Sequence, residues 1–357
     1  MKNMQIAAMS VLMVLLPTAA GATTVRVHYD AKGGALAIVG DKGLTSWSKA
    51  VAAEPGPDAV WTYSWPDALG AVHMKPVLGS KVSTGGVYRL TAGSTLDIYP
   101  FFGAPRGEVS IQPAVASPQL HNSRALRIYL PPSYRENAAK RYPVLYMHDG
   151  QNLFDAGTAA YGVEWAIDET VDRLVANGAM DEVIVVGIDN TPERIAEYTP
   201  CCDPKHGGGK LDAYAGFIVD TVKPMIDRTL RTLPGKENTA IMGSSLGGIA
   251  SVAIAQRHPD VFSKAGGVSS SFWWNQKSML TTLAPRVAVK FYLDAGTEGD
   301  GLDETTQMRD AMLKQGYATG TDLLYYRAEG GSHNEKSWAA RVDKPLTWFF
   351  PWNGTRN

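Results

Sequence analysis

The stretch from Ala240 to Ala250 constrains this chain more than any other. A short apolar strand, Thr239 to Met242, runs into Gly243-Ser244-Ser245-Leu246-Gly247. Leu246, Ile249, Ala250, Ala253 and Ile254 then recur on one helical face. A G-x-S-x-G corner between strand and helix is a nucleophile elbow. The serine sits in a strained turn, and the flanking glycines let backbone approach where a Cβ would clash. Ser245 is thereby lifted above the sheet. The helix that begins there turns its N–H groups and positive end toward the oxygen that becomes negative during acyl transfer.

With 357 residues and 45% hydrophobic content, the chain is long enough for a sizeable core and two domains. A formal net charge of -1 leaves no electrostatic footprint for nucleic acid or an anionic membrane surface, so neither partner is expected. Lys2, the apolar run Ile6 to Leu16, Pro17 and Ala20-Gly21-Ala22 read as a secretory signal peptide over residues 1–22, which implies a secreted or periplasmic protein. Cys201 and Cys202 are the only cysteines. As sequence neighbours they fall short of the usual Cα spacing of a disulfide, so no disulfide framework is expected.

Residues 23–102 fall into short strand-like runs with no helical period between them: Thr24 to Tyr29, Ala35 to Val39, Val60 to Ser64, Ala71 to Pro76, Gly86 to Leu90 and Ser94 to Tyr99. This predicts a small all-β sandwich. Trp47, Trp61 and Trp65 are either its core or a stacking platform for sugar rings. Arg26 to Asp30, Leu44 to Trp47, Met74 to Val77 and Asp97 to Phe102 resemble the starch-binding-like modules found beside secreted hydrolases, which would make carbohydrate a partner. Residues 103–107, rich in Gly and Pro, read as a linker.

From residue 108 to 357 the rhythm changes. Apolar runs at Leu126 to Leu130, Val144 to Met147, Val183 to Ile188, Thr239 to Met242, Ala265 to Val268, Val289 to Leu293 and Leu323 to Tyr326 alternate with helical segments. The helices are read at Glu164 to Ala176, Asp212 to Leu230, Leu246 to Arg257, Glu304 to Lys314 and Lys336 to Phe349. The alternation predicts an α/β fold with a mostly parallel, doubly wound sheet, its functional loops at the carboxyl ends of the strands.

A serine hydroxyl needs a base, and the base an orienting carboxylate. His333 follows the last strand-like run in a Gly-rich loop, where such a sheet places its base. His28, His73, His121 and His258 are read as structural or solvent-facing. For the acid, the loop after Phe291 to Leu293 offers Glu298, Asp300 and Asp303, ranked in that order, with Asp294 still inside the strand. The loop after Val144 to Met147 suits the second oxyanion donor. The backbone N–H groups of Gln151 and Leu246 are assigned to that role, and His148 to scaffolding or the pocket wall. Trp273 and Trp274 follow a strand on the same edge, where they either line the substrate pocket or simply pack. His206-Gly207-Gly208-Gly209 copies the oxyanion sequence of some lipases but lacks a preceding strand. No metal-ligand spacing and no phosphate loop is found, and no cofactor is expected.

The C-terminal two thirds resembles an esterase family of α/β-hydrolases that includes esterase D, feruloyl esterases, enterochelin esterases and the mycolyltransferase antigen 85 group. The likeness is carried by Arg127 to Tyr134, His148-Asp149-Gly150, Gly187 to Asn190 with Arg194 and Glu197 to Pro200, Gly243 to Gly248, Phe272 to Trp274 and Gly331 to His333. It implies Ser245 as nucleophile, His333 as base and backbone donors near Gly150 and Leu246. The family often has one residue between its Gly-Thr pair and the carboxylate. Here Glu298 follows Thr297 directly, which keeps Asp300 open. The expected activity is a serine carboxylesterase acting on aromatic, acetyl or carbohydrate-linked esters. An acyltransferase, a siderophore esterase and a carbohydrate-binding protein are the alternatives.

Overall fold

The computed structural model describes residues 22–66, 69–352 and 354, so the expected leader lies outside the described residues apart from Ala22. Among those residues no helix is long and apolar enough to cross a membrane.

An eight-stranded sheet forms the centre of the C-terminal part. Its strands in chain order are β1 (Glu108–Ser117), β2 (Asn122–Leu130), β3 (Val144–His148), β4 (Ile184–Ile188), β5 (Thr239–Ser244), β6 (Lys264–Val268), β7 (Lys290–Glu298) and β8 (Leu323–Ser332). They lie side by side as β1-β2-β4-β3-β5-β6-β7-β8. The β1-β2 and β2-β4 pairs are antiparallel and all later pairs are parallel. Every residue of β3, β4, β5 and β6 is buried, as parallel strands covered on both faces require. Strand β1 escaped the sequence reading because it is an exposed edge whose first seven residues show no inward alternation. Pro113, which cannot donate to a ladder, sits at a bulge between Gln112 and Val115.

Two helical expectations need correction. The segment Asp212 to Leu230 is Leu211–Gly216, a π-type turn Phe217–Val222 and then Lys223–Thr229. Pro224 has no N–H for a carbonyl one turn back, and the wider turn accommodates it. Lys336 to Phe349 is likewise two helices, Glu335–Ala339 and Asp343–Phe349, with Pro345 in the first turn of the second. Helix Leu246–Arg257 begins and ends as read. It is buried nearly all round rather than on one face, with Ser251 and Val252 as enclosed as Ile249.

Residues 23–98 form two further sheets, of four and five strands. Thr23, Val25 and Val27 alternate inward along Thr23–His28. They enclose a separate core with Leu36, Ile38, Met74, Leu90 and Ile98. Trp65 is in that core at 1% exposure, and Trp61 donates its indole N–H to the Tyr29 carbonyl at 3.1 Å. Of the three tryptophans only Trp47 is open, at 52%. Segment 103–107 is fastened rather than loose, since the Gly107 amide donates to Asp172 Oδ1 at 2.8 Å. Glu136 accepts from Tyr29 Oη (2.8 Å) and the Phe102 and Gly103 amides (2.6 and 2.8 Å). Asn137 Nδ2 donates to the His28 and Pro100 carbonyls at 3.0 and 2.9 Å. These contacts hold the N-terminal sheets against the C-terminal part.

Candidate active site

Strand β5 ends at Ser244, and Ser245 follows at φ 58°, ψ −122°, before the helix opens at Leu246. A non-glycine residue there costs about 1–3 kcal/mol, which the surroundings must impose. They do so through the flanking hydrogen bonds: the Ser245 amide donates to the Val268 carbonyl, and the Ser271 amide donates to the Ser245 carbonyl, each at 3.0 Å. A Cβ on Gly243 would lie 2.7 Å from His148 Cδ2, and one on Gly247 3.1 Å from His148 Cβ. Glycine at both places lets the turn close over the imidazole.

That packing decides the place of His148. It ends β3, is 2% exposed, and bonds Tyr214 Oη through Nδ1 at 2.9 Å. Burial pushes its pKa down to about 4. His148 is a neutral pad beneath the elbow, not a residue of the pocket wall. The two tryptophans are not in the wall either. Trp274 is buried at 2% and donates to the Pro200 carbonyl at 3.2 Å, while Trp273 is 45% exposed beside it. Both pack against His206, within the 200–208 loop region. In that loop the sulfurs of Cys201 and Cys202 are joined, contrary to expectation. Ring closure between neighbours lies outside the geometry of bridges between distant residues on which the expectation rested.

The acid loop also differs from the ranking by sequence. Glu298 ends β7 opposite Ser332 and its side chain is exposed. Asp300, 2% exposed, places Oδ1 2.7 Å from His333 Nδ1. Gly299 and Gly301, at φ 64° and 70°, bracket Asp300 and turn its carboxylate inward. Asp303 lies beyond it, in helix Leu302–Lys314.

Asp300 Oδ2 accepts from Ser269 Oγ (2.6 Å), the Gly296 amide (2.6 Å) and Arg341 Nη2 (3.1 Å). Burial alone would raise its pKa. The hydrogen bonds from His333, Ser269 and Gly296 outweigh burial and hold the carboxyl below its ordinary value. Arg341 also binds Asp294 through Nε and Nη2, both at 3.0 Å, so one guanidinium faces two buried carboxylates. Trp338 donates to Ser269 Oγ at 2.8 Å and sets its ring edgewise to His333, centroids 5.1 Å apart. The sequence reading assigned none of Ser269, Arg341 and Trp338 to the site. Ser269 and Arg341 meet Asp300 and Asp294, and Trp338 meets Ser269, across chain separations that leave no local pattern.

Ser245 and His333 line one cavity of about 520 Å³, a size suited to a small organic ligand. Ser245 Oγ lies 3.2 Å from Ser271 Oγ. Tyr161, Val163 and Trp338 supply apolar surface, and Asn190, Arg194, Glu335 and Lys336 the polar side. Asp149, which also lines it, is held at φ 56° and gripped by Arg194 through Nε and Nη2, each at 2.7 Å. Gln151 follows in the turn Gly150–Asn152. A Cβ on Gly150 would lie 2.6 Å from the Gly187 carbonyl carbon, so only glycine fits.

Among the described residues one carboxylate group, Glu164, Asp168 and Glu169, brings its ligand atoms within 4.8 Å of one another, outside the cavity lining. Burial, reinforced by Glu169, pushes the Asp168 carboxyl from 3.8 up to about 7. The folded chain then keeps a proton that the unfolded chain releases, so stability falls as pH rises through that window. Asp168→Asn should therefore raise stability at pH 8 by roughly 1 kcal/mol, after discounting for partial exposure, and leave it unchanged at pH 4. Urea titrations at the two pH values test this; an equal gain at both would contradict it.

Comparison with known proteins bears on the whole arrangement. The sequence model of the family described as "Putative esterase" matches residues 117–349. The uncharacterized protein YbbA of Bacillus subtilis is 24% identical over 246 residues, covering 64% of this chain and 93% of that protein. A ferulic acid esterase structure superposes with a TM-score of 0.56 at 22% identity, over 69% of this chain and 98% of the other. The enterobactin esterase of Shigella flexneri, solved with enterobactin, gives 0.54 at 14% identity, over 88% and 87%. The matched segment takes in Ser245, Asp300 and His333, and the chain belongs to the esterase family of α/β-hydrolases, a carboxylic ester hydrolase.

Proposed function

We propose that the protein is an exported serine esterase working through an acyl-enzyme. In this reading Ser245 Oγ attacks the ester carbonyl while His333 takes its proton. The negative oxygen is received by the Gln151 and Leu246 amides. His333 then returns the proton to the departing alcohol, and water clears the acyl group by the same route. Asp300 fixes the imidazole tautomer and faces the imidazolium that forms. The observation that carries the reading is the buried Asp300 carboxylate 2.7 Å from His333, on the cavity that also opens onto Ser245. The N-terminal run of Lys2 and apolar residues supports export.

For the substrate, the similar proteins lend support to both feruloyl-type and siderophore-type esters. One observation favours the second: residues 108–357 are only about 70% of the chain, so the 88% covered by the enterobactin esterase extends into the N-terminal sheets. Carbohydrate binding would rest on Trp47, the one tryptophan of the three left open.

A fluorophosphonate should add a single adduct to the peptide containing Ser245. With an alcohol acceptor present, the product should be free acid rather than a new ester. An unlabelled Ser245 would remove the acyl-enzyme, and a transferred acyl group would replace hydrolysis by acyl transfer.

A further inference from the structure

Most charged groups on the cavity wall are already matched. Asp149 is saturated by Arg194 and by Asn190 Nδ2, which donates at 2.7 Å. Arg194 gives Nε and Nη2 to that carboxylate, and among the described residues no acceptor takes its Nη1 hydrogens, which can serve the cavity. Glu335 differs. It lines the same cavity and is only 5% exposed. Among the described residues, no hydrogen bond to its carboxyl comes from any group but its own amide.

A carboxyl in that position is costly. Burial pushes its pKa up and the nearby Asp149 adds to this, while His333 and Arg194 pull the other way. Glu335 is not needed as the cap of helix Glu335–Ala339, because Asn334 caps it by accepting from the Ser337 amide at 2.9 Å. A buried carboxylate whose one protein donor among the described residues is its own amide keeps acceptor positions for what enters the cavity.

We propose that Glu335 is a specificity-determining residue that accepts a hydrogen bond from a hydroxyl group of the ester bound at Ser245. The proposal rests on the esterase reading of this cavity and adds to it the chemistry of the ligand. A neutral hydroxyl suits the place better than an ammonium group, since Arg194 and Lys336 line the same cavity and would repel a cation. A hydroxyl also has lone pairs for the Arg194 Nη1 hydrogens. The aromatic surface of Tyr161 and Trp338 leaves room for an aryl ring that carries it.

The test uses the full chain and methyl esters of benzoic and cinnamic acids in hydroxy and methoxy pairs at ring positions 3 and 4. In the wild-type protein the hydroxy member of at least one pair should have a kcat/KM about tenfold or more above its methoxy partner, the worth of a hydrogen bond to a charged group. The difference should lie mainly in KM. Glu335→Gln, which keeps the shape, should bring that ratio to about threefold or less, and Glu335→Ala should abolish it. Thermal unfolding of both variants establishes that they fold.

Two results overturn the inference while leaving the esterase reading intact. One is a wild-type ratio near unity in every pair. The other is a fall in both members of a pair by the same factor in Glu335→Gln, which would mean that Glu335 acts on His333 or on the fold. A wild-type protein that cleaves none of the esters and takes no fluorophosphonate label would instead remove the reading itself, and the inference with it.

Discussion

Ser245→Ala should lower kcat/KM for p-nitrophenyl acetate by about 10⁴- to 10⁶-fold, the range seen when a catalytic serine is deleted and only binding and oxyanion stabilisation are left. The structure makes this substitution a clean one. Alanine keeps the Cβ that already tolerates φ 58°, so the elbow is no more strained than before. The hydrogen bond lost, to Ser271 Oγ at 3.2 Å, is long and half exposed. The unfolding temperature should therefore stay within about 2 °C of wild type, since a bond of that kind is worth about 1 kcal/mol or less. Stopped assays on the purified variant, beside its melting curve, read both quantities. Near-normal turnover by the alanine variant would mean that another group attacks the ester.

The second large effect separates two neighbouring carboxylates. Asp300→Asn should reduce kcat by about 10³- to 10⁴-fold, because an amide can hold His333 in the wrong tautomer and brings no charge to the imidazolium. Glu298→Gln should change it by less than about twofold, as expected for an exposed side chain away from the reacting atoms. Asp300→Asn also leaves Arg341 with one carboxylate instead of two, so some loss of stability, on the order of 1–3 kcal/mol, accompanies it. Assays well below the melting temperature keep the two losses apart. Equal falls in the two variants would return Glu298 to the site and contradict the geometry around Asp300.

This pair of residues also marks how far the sequence carries. The chain order of Ser245, a carboxylate and His333 was legible, and so was the loop after β7 that supplies the carboxylate bound to His333. The choice within that loop was not, because side-chain direction at the end of a strand depends on backbone turned by residues on either side. The sequence Glu298-Gly299-Asp300-Gly301 did hold a usable sign. Glycines on both sides of Asp300 permit the two positive-φ turns that swing its carboxylate inward. Pattern reading also found seven of the eight strands of the main sheet and overlooked β1, whose exposed edge has no apolar alternation to detect.

Other choices left open share one cause. His148, assigned to scaffolding or the pocket wall, is scaffolding beneath the elbow, since the two glycines of the motif leave a hollow that only the folded chain fills. Trp273 and Trp274, expected either to line the pocket or to pack, pack on the loop at His206. In each case the chain position was legible and the direction of the side chain was not.

What the sequence determined by itself was local: a strand, a five-residue corner and a helix that present Ser245, and the alternation of strands and helices that places loops at one sheet edge. Backbone sterics within a few residues suffice for that. Only the tertiary structure turned Asp300 to His333, brought Arg341 between Asp294 and Asp300, and left Glu335 in the cavity with no donor among the described residues but its own amide. Those outcomes depend on which charges and hydrogen-bonding groups meet across tens of residues, and such meetings are fixed by packing and desolvation rather than by any spacing along the chain.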